Sequence, residues 1–285
     1  MDFDVFDDFD SPLSVPAPID TALILACDLD GTMIPRPDSQ TDQSALSQLQ
    51  ECLQQHNGYL IYVTGRNAAS AIQAIDESAL PAPNALISDL GAAILQATAS
   101  GQPLTPVNEY SGALGIMSGP VRQYDFGWLD EVPGIERVSI EMQSEFRLYY
   151  ECKPEELQAH ATEIQSKLDH RGIPYALQSS SDETAGIGRI DIVPEMVNKA
   201  FALNWWLQFK RVRAQNVIFC GDSENDLSAF CEQFQTVVVQ NAADTIKEAV
   251  RRFHVDHGQS DRLHLATQCN TSGVLEGVRH FLNSP

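Results

Sequence analysis

The chain has 285 residues, and 18 Lys+Arg against 39 Asp+Glu give a formal net charge of −21 at pH 7. That excess, with no Lys/Arg-rich run, argues against nucleic acid or an anionic membrane as partner. The 43% hydrophobic content is ordinary for a packed globular protein and too high for a disordered one.

No apolar stretch approaches the roughly 20 residues of a membrane span. The acidic start MDFDVFDDFD fits neither a secretory signal nor a transit peptide. The six cysteines (Cys27, Cys52, Cys152, Cys220, Cys231, Cys269) lack C-x-x-C spacing and do not cluster with the seven histidines, so they read as reduced thiols rather than zinc ligands. A cytoplasmic protein is expected.

Residues 1–19 alternate Asp with Phe and then turn Pro-rich, and are read as a mobile acidic tail. TALILAC, ending at Asp28, is a continuous apolar run of the kind buried on both faces of a parallel sheet. A helix is predicted over Thr41 to His56, with Leu46, Leu49 and Leu53 on one face. The strand YLIYV, a helix over Asn67 to Ser78 and the strand ALIS, leading to Gly91, continue the βαβ rhythm.

The rhythm breaks near Thr98. Residues 109–189 carry Gly and Pro clusters, the alternating segment RVSIEMQSEFRLYYEC, a helix over Pro154 to His170, and PYALQSSS, which predict a small α+β unit with an antiparallel sheet. The βα rhythm is then expected to resume with RIDIV, a helix over Lys199 to Phe209 and the strand NVIFC. The predicted architecture is an α/β, doubly wound parallel-sheet (Rossmann-like) core over 20–108 and 190–285, with an inserted α+β cap domain over 109–189.

Ligands of open parallel sheets bind beyond the carboxyl ends of the strands, and four clusters fall there. Asp28-Leu29-Asp30-Gly31-Thr32 pairs a possible carboxylate nucleophile, Asp28, with a possible proton donor and acceptor, Asp30; a plain strand followed by an Asp-Gly turn reads the same way. Thr64-Gly65-Arg66 offers a hydroxyl for a phosphate oxygen, or merely a helix cap, with Arg66 in a structural or rim role. Lys199 on its own reads as a solvated helix charge. GDSEND packs Asp222, Glu224, Asn225 and Asp226 behind a buried strand, where so much negative charge is costly unless a cation compensates it. With oxygen ligands and no His or Cys, that cation is a hard one such as Mg²⁺.

The order of these clusters resembles the haloacid dehalogenase-like phosphohydrolase superfamily: D-x-D-G-T, a Thr/Ser after the second strand, a Lys, then G-D-x-x-x-D. The resemblance implies Asp28 as nucleophile and Asp30 as acid/base, with Thr64, Gly65 and Lys199 holding the phosphoryl group. It implies Mg²⁺ held by Asp28, the Asp30 carbonyl and Asp222, supported by Asn225 and Asp226. The insertion looks like the cap of the subclass acting on sugar phosphates. PNALISDLGAAIL, NKA after DIVP, CGDSEND, VVVQNA and ATQCNTSGVLEGVRHF further resemble segments of sucrose-phosphate phosphatases. Many members of that family have Asn where Gly31 stands and Gly where Glu224 stands, and SSSDETAGIGRIDIVP is longer than usual.

The expected activity is therefore Mg²⁺-dependent hydrolysis of sucrose 6-phosphate through an aspartyl-phosphate intermediate. Glucosylglycerol-, mannosylglycerate- and trehalose-phosphate phosphatases are alternatives, as is a non-catalytic module partnered with a sucrose-phosphate synthase. The last reading requires a missing catalytic residue, and none is missing. Within the cap, alternation along the strand places Phe146, Leu148 and Tyr150 against the cap helix. It leaves Arg147 and Tyr149 facing the active site as candidate sugar contacts.

Overall fold

The computed structural model describes residues 21, 23–36, 42–99, 101–182 and 185–283, so the acidic tail expected over 1–19 lies outside the described residues. In chain order, β1 (Ile24–Cys27), α1 (Gln43–Gln55), β2 (Tyr59–Val63), α2 (Ala68–Glu77) and β3 (Ala85–Ser88) open the fold. They lead to β4 (Ala93–Ala97), β5 (Leu104–Pro106) and α3 (Asn108–Met117). A second unit holds β6 (Ile135–Arg137), β7 (Leu148–Cys152), α4 (Leu157–Arg171), β8 (Tyr175–Asp182) and β9 (Ile187–Pro194). After it come α5 (Lys199–Phe209), β10 (Val217–Gly221), α6 (Leu227–Phe230), β11 (Gln235–Val238), α7 (Asp244–Asp256), β12 (Leu263–Leu265) and α8 (Asn270–Leu282).

The large sheet has eight strands in the order β12-β11-β10-β1-β2-β3-β4-β5. The first six run parallel, while β4 and β5 pair antiparallel at one edge. The unbroken apolar run of β1 follows from burial on both faces. Leu25 and Cys27 pack with Leu49 of α1, Ala71 of α2 and Val278 of α8, whereas Ile24 and Ala26 pack with Tyr110 of α3, Trp206 of α5 and Phe230 of α6. Such two-sided cover is what a parallel sheet requires. Local signals set the helix starts: Asp42 accepts from the amides of Ser44 and Ala45 ahead of α1, and Asn67 accepts from Ser70 ahead of α2.

The smaller sheet is antiparallel, in the order β6-β7-β9-β8, and α4 packs on it through Ile164 and Leu168 beside Leu148, Tyr150, Ile190 and Ile192. Three expectations are corrected here. RIDIV does not resume the large sheet, because it lies in β9 and pairs with β7 and β8. The cap sheet thus runs past residue 190, and the next strand of the large sheet is β10. At the other boundary, α3 packs its Tyr110 and Leu114 into the large core rather than into the small unit. Apolar runs of similar length served both sheets, and only pairing partners distinguish them. Phe146 also departs from its predicted face: it joins the large core beside Val193 and Val197, while Leu148 and Tyr150 pack with the cap helix.

Candidate active site

β1 and β10 are neighbours in register, with Cys27 opposite Cys220, so Asp28 and Asp222 emerge side by side at their carboxyl ends. One carboxylate oxygen each from Asp28, Asp222 and Asp226 lie within 4.8 Å of one another, and all three residues are buried. Lys199, the first residue of α5, reaches into this group. Its Nζ is 2.9 Å from Asp28 Oδ1 and 2.7 Å from Asp226 Oδ1, with the lysine side chain 1% exposed. By itself a helix lysine reads as a solvated charge, whereas the family resemblance puts Lys199 at the phosphoryl group; here its ammonium is the internal counter-ion of the cluster.

The surrounding chain fixes each carboxylate. Leu29 N–H donates to Asp28 Oδ1 at 2.8 Å. Asp226 Oδ2 accepts from the amides of Asp222 and Ser223 and from the Ser223 hydroxyl, at 3.1, 3.0 and 2.9 Å. Thr32 Oγ1 donates to Asp222 Oδ1 at 2.9 Å, and Arg36 pairs with Asp222 Oδ2 at 2.9 Å. Gly31 has φ +82°, and a Cβ there would lie 2.3 Å from Asp222 Oδ2, so a side chain would be strained in this backbone conformation and would have to displace the Asp222 carboxylate.

Burial pushes the Asp28 carboxyl well above the ordinary range; Lys199 opposes the shift, and Asp226 and Asp222 reinforce it. Asp222 is raised by burial and by Asp226, against hydrogen bonds from Thr32 and Arg36. Burial alone would push the Lys199 ammonium down, but Asp226 and Asp28 reverse this and hold it above an ordinary lysine. The causes differ: burial is what chiefly raises the two carboxyls, whereas attraction to Asp226 and Asp28 raises the ammonium. An all-oxygen donor set with surplus negative charge fits a hard divalent cation, and Asp28, Asp222 and Asp226 are the residues that could hold one.

Asp30 lies one step outward, with its side chain 51% exposed, and Arg66 grips it with two 2.7 Å bonds, from Nε to Oδ2 and from Nη2 to Oδ1. Arg66 is therefore joined to the candidate acid/base. Thr64 is buried at the end of β2; its hydroxyl accepts from the Arg66 amide at 3.1 Å, while Asn67 caps the following helix. A Cβ at Gly65 would lie 3.0 Å from Leu90 Cδ2 and 3.7 Å from Asn225 Nδ2, so this loop and the Asn225 amide approach each other closely. Asn225 also accepts from Ser223 Oγ at 2.8 Å, and Glu224 is exposed.

The cap residues need correction. Arg147 does not present its guanidinium to an open cleft: Nε lies 2.6 Å from Asp191 Oδ1, Nη2 2.6 Å from the same oxygen, and Nη1 3.0 Å from Asp89 Oδ1. Tyr149 is buried, with its ring under the Arg147 guanidinium at 4.9 Å and its hydroxyl donating to Glu151. Strand alternation gave the side but not the carboxylates waiting there. Asp89 and Asn241 were missed. Asn241 Nδ2 donates to the Gly31 carbonyl at 2.7 Å, closing the loop from the β11 side. Both are polar residues just past a buried strand, the same criterion that singled out Asp28 and Asp222.

The profile of the sucrose-6F-phosphate phosphohydrolase family matches residues 21–282. A protein from Nitrosococcus oceani described as a HAD-like hydrolase is 30% identical over 269 residues, covering 91% of this chain and 71% of its own length. A glucosylglycerol-phosphate synthase from Pseudomonas anguilliseptica is 27% identical over 262 residues, covering 91% of this chain but 31% of its own. Among solved structures, the sucrose-phosphatase from Synechocystis, in complex with sucrose and phosphate, superposes with a TM-score of 0.71 at 25% identity, covering 91% of this chain and 98% of that one.

Proposed function

The chain belongs to the sucrose-6F-phosphate phosphohydrolase family of HAD-like phosphatases, and from that premise we propose that it is a Mg²⁺-dependent phosphatase of sucrose 6-phosphate. The observation that carries this reading is the buried group of Asp28, Asp222 and Asp226 around Lys199, set where two neighbouring strands of the large sheet end.

Asp28 attacks phosphorus, so that an Asp28 Oδ–P bond forms as the bond from phosphorus to the sugar oxygen breaks. Asp30 gives its proton to that leaving oxygen. Water then attacks the aspartyl phosphate, Asp30 takes the water's proton, and phosphate and free Asp28 are regained. Leu29 N–H and Lys199 both hold Asp28 by Oδ1 and keep the carboxylate oriented. Arg66 aims Asp30, whose exposed side chain can reach the leaving group. Lys199, Thr64 and the backbone at Gly65 neutralise and seat the phosphoryl oxygens. Asp28, Asp222 and the Asp30 carbonyl would hold Mg²⁺, with Asn225 and Asp226 in support; when bound, the cation offsets charge on the phosphoryl group.

The unit of β6 to β9 is the cap that selects the sugar. The matched family and the Synechocystis neighbour favour sucrose 6-phosphate, and the similarity to a glucosylglycerol-phosphate synthase keeps glucosylglycerol phosphate as a second reading. Association with a sucrose-phosphate synthase and a cytoplasmic setting accord with such a role, and no described helix is long and apolar enough to cross a membrane. The test is phosphate release from a panel of sucrose 6-phosphate, glucosylglycerol phosphate, trehalose phosphate and a small aryl phosphate, with Mg²⁺ or with chelator. A sucrose 6-phosphate preference in kcat/KM, abolished by chelation and by Asp28→Asn, supports the proposal. Turnover in excess chelator, or a preference for another sugar phosphate, overturns it.

A further inference from the structure

Arg147 is 4% exposed and its guanidinium lies between two carboxylates from different sheets. Asp191 belongs to β9 of the cap sheet, and Asp89 follows β3 of the large sheet. All three guanidinium nitrogens are committed, one face lies over Tyr149, and Ser88 Oγ donates to the second oxygen of Asp89 at 3.2 Å. The triad is therefore a buried ionic bond between cap and core, and it lies outside the Asp28 cluster.

Its core-side footing is the turn that braces the phosphate loop. Asp89 and Leu90 have φ of +54° and +57°, a region that side-chain-bearing residues enter at a cost, Asn and Asp least. That shape lets Asp89 N–H donate to the Arg66 carbonyl at 2.8 Å and Leu90 N–H to the Thr64 carbonyl at 3.3 Å. A second contact lies beside it: Asn67 Nδ2 donates to the Glu141 carbonyl at 3.3 Å, from the segment that leads to Arg147. Gln143 staples this segment to β7, accepting from Tyr149 N–H at 2.7 Å and donating to the Val138 and Tyr149 carbonyls.

We propose that Arg147 is a positioning residue, a clasp that joins Asp191 of the cap to Asp89 of the core and so fixes the cap over the strand ends where the sugar must be held. The clasp shares no residue with the group of Asp28, Asp222 and Asp226. It rests on the sugar-phosphatase reading only in what its loss does to turnover; the clasp itself can be measured without substrate.

The experiment compares Asp89→Asn, Arg147→Lys and Arg147→Met with the unaltered protein. Asp89→Asn is the informative variant, because Asn keeps the turn conformation and the backbone bonds while removing one charge of the clasp. Arg147→Lys keeps a charge that cannot fork to both carboxylates, and Arg147→Met guards against a partial effect. Three quantities are read: Tm, kcat/KM for sucrose 6-phosphate relative to a small aryl phosphate, and hydrogen exchange of the amides over 138–147.

With Tm close to the unaltered protein, Asp89→Asn should lower the sugar-to-aryl ratio of kcat/KM on the order of tenfold, mostly through KM. Arg147→Met should lower it on the order of 100-fold, as loss of positioning does, with Arg147→Lys between them and exchange over 138–147 faster in all three. Equal losses on both substrates, or an unchanged ratio, overturn the clasp. If the unaltered protein cleaves no sugar phosphate, the functional reading fails by itself, and exchange then decides: unchanged protection over 138–147 in Asp89→Asn overturns the clasp too.

Discussion

Replacing Lys199 by Met keeps roughly the length and bulk of the side chain and removes its charge from between Asp28 and Asp226. The ammonium lies 2.9 and 2.7 Å from their carboxylates, and the three side chains are 1%, 5% and 0% exposed. Removing one partner of a buried ion pair costs about 3–5 kcal/mol, because the charge left behind has neither water nor partner. Here at least two carboxylates are left, so the upper part of that range applies at neutral pH in chelator. For a chain of this size, each kcal/mol moves Tm by about 2–4 °C, which predicts a fall on the order of 10 °C by differential scanning fluorimetry.

Two controls separate charge from packing. Mg²⁺ should restore part of the loss, because a divalent ion replaces the missing positive charge. Adding Asp226→Asn should restore part of it without metal, since the amide removes one orphaned charge and still offers an acceptor to the Asp222 and Ser223 amides. A Lys199→Met protein melting within about 2 °C of the unaltered one in chelator, a small fraction of the shift worked above, would show that Lys199 does not neutralise this cluster.

Asp28→Asn should abolish phosphate release while leaving Tm in chelator unchanged or raised, because it removes one of three crowded buried charges; retention of most turnover would rule out the aspartyl phosphate. Arg66→Lys should lower kcat on the order of tenfold by losing the two-pronged hold on Asp30, yet cost under about 1 kcal/mol of stability, since the pair is 34% and 51% exposed; denaturant titration beside steady-state kinetics separates the two effects. The pH dependence of the metal-free protein follows from Asp28 and Asp222, both raised by burial first. A carboxyl raised on folding stabilises fully below its unfolded value of about 4 and loses that contribution as pH rises through the folded one. Tm in chelator should therefore fall as pH rises above the ordinary carboxylate range, with Mg²⁺ flattening the trend; a rise over that interval would contradict the burial shifts.

The acidic cluster at the strand ends was legible in the sequence because strand ends announce themselves. A buried apolar run that stops at a charged residue, as at Asp28 and Asp222, can be read without knowing which strands pair. What could not be read was pairing itself. RIDIV looks like any core strand, and only its hydrogen bonds to β7 and β8 assign it to the cap. Lys199 carried no signal of its burial, because its environment is made by residues 171 positions earlier and 27 later in the chain. Arg147 shows the limit of face assignment. Alternation predicts the side on which a residue emerges, and Asp89, 58 positions away, decides what it meets.

The chain leaves the cap at Pro194, the last residue of β9, and begins α5 at Lys199, with four residues between them. The lysine that balances Asp28 is thus mounted on the exit strut of the cap, whereas Asp28 and Asp222 are mounted on the sheet. Anyone transplanting a foreign cap onto this scaffold to change the sugar accepted would need to cut before Pro194 and keep 195–198 intact. A graft that altered the length or pitch of that strut would shift the Lys199 ammonium while leaving the Asp28 and Asp222 carboxylates in place, and would disable the chemistry without disturbing a single motif.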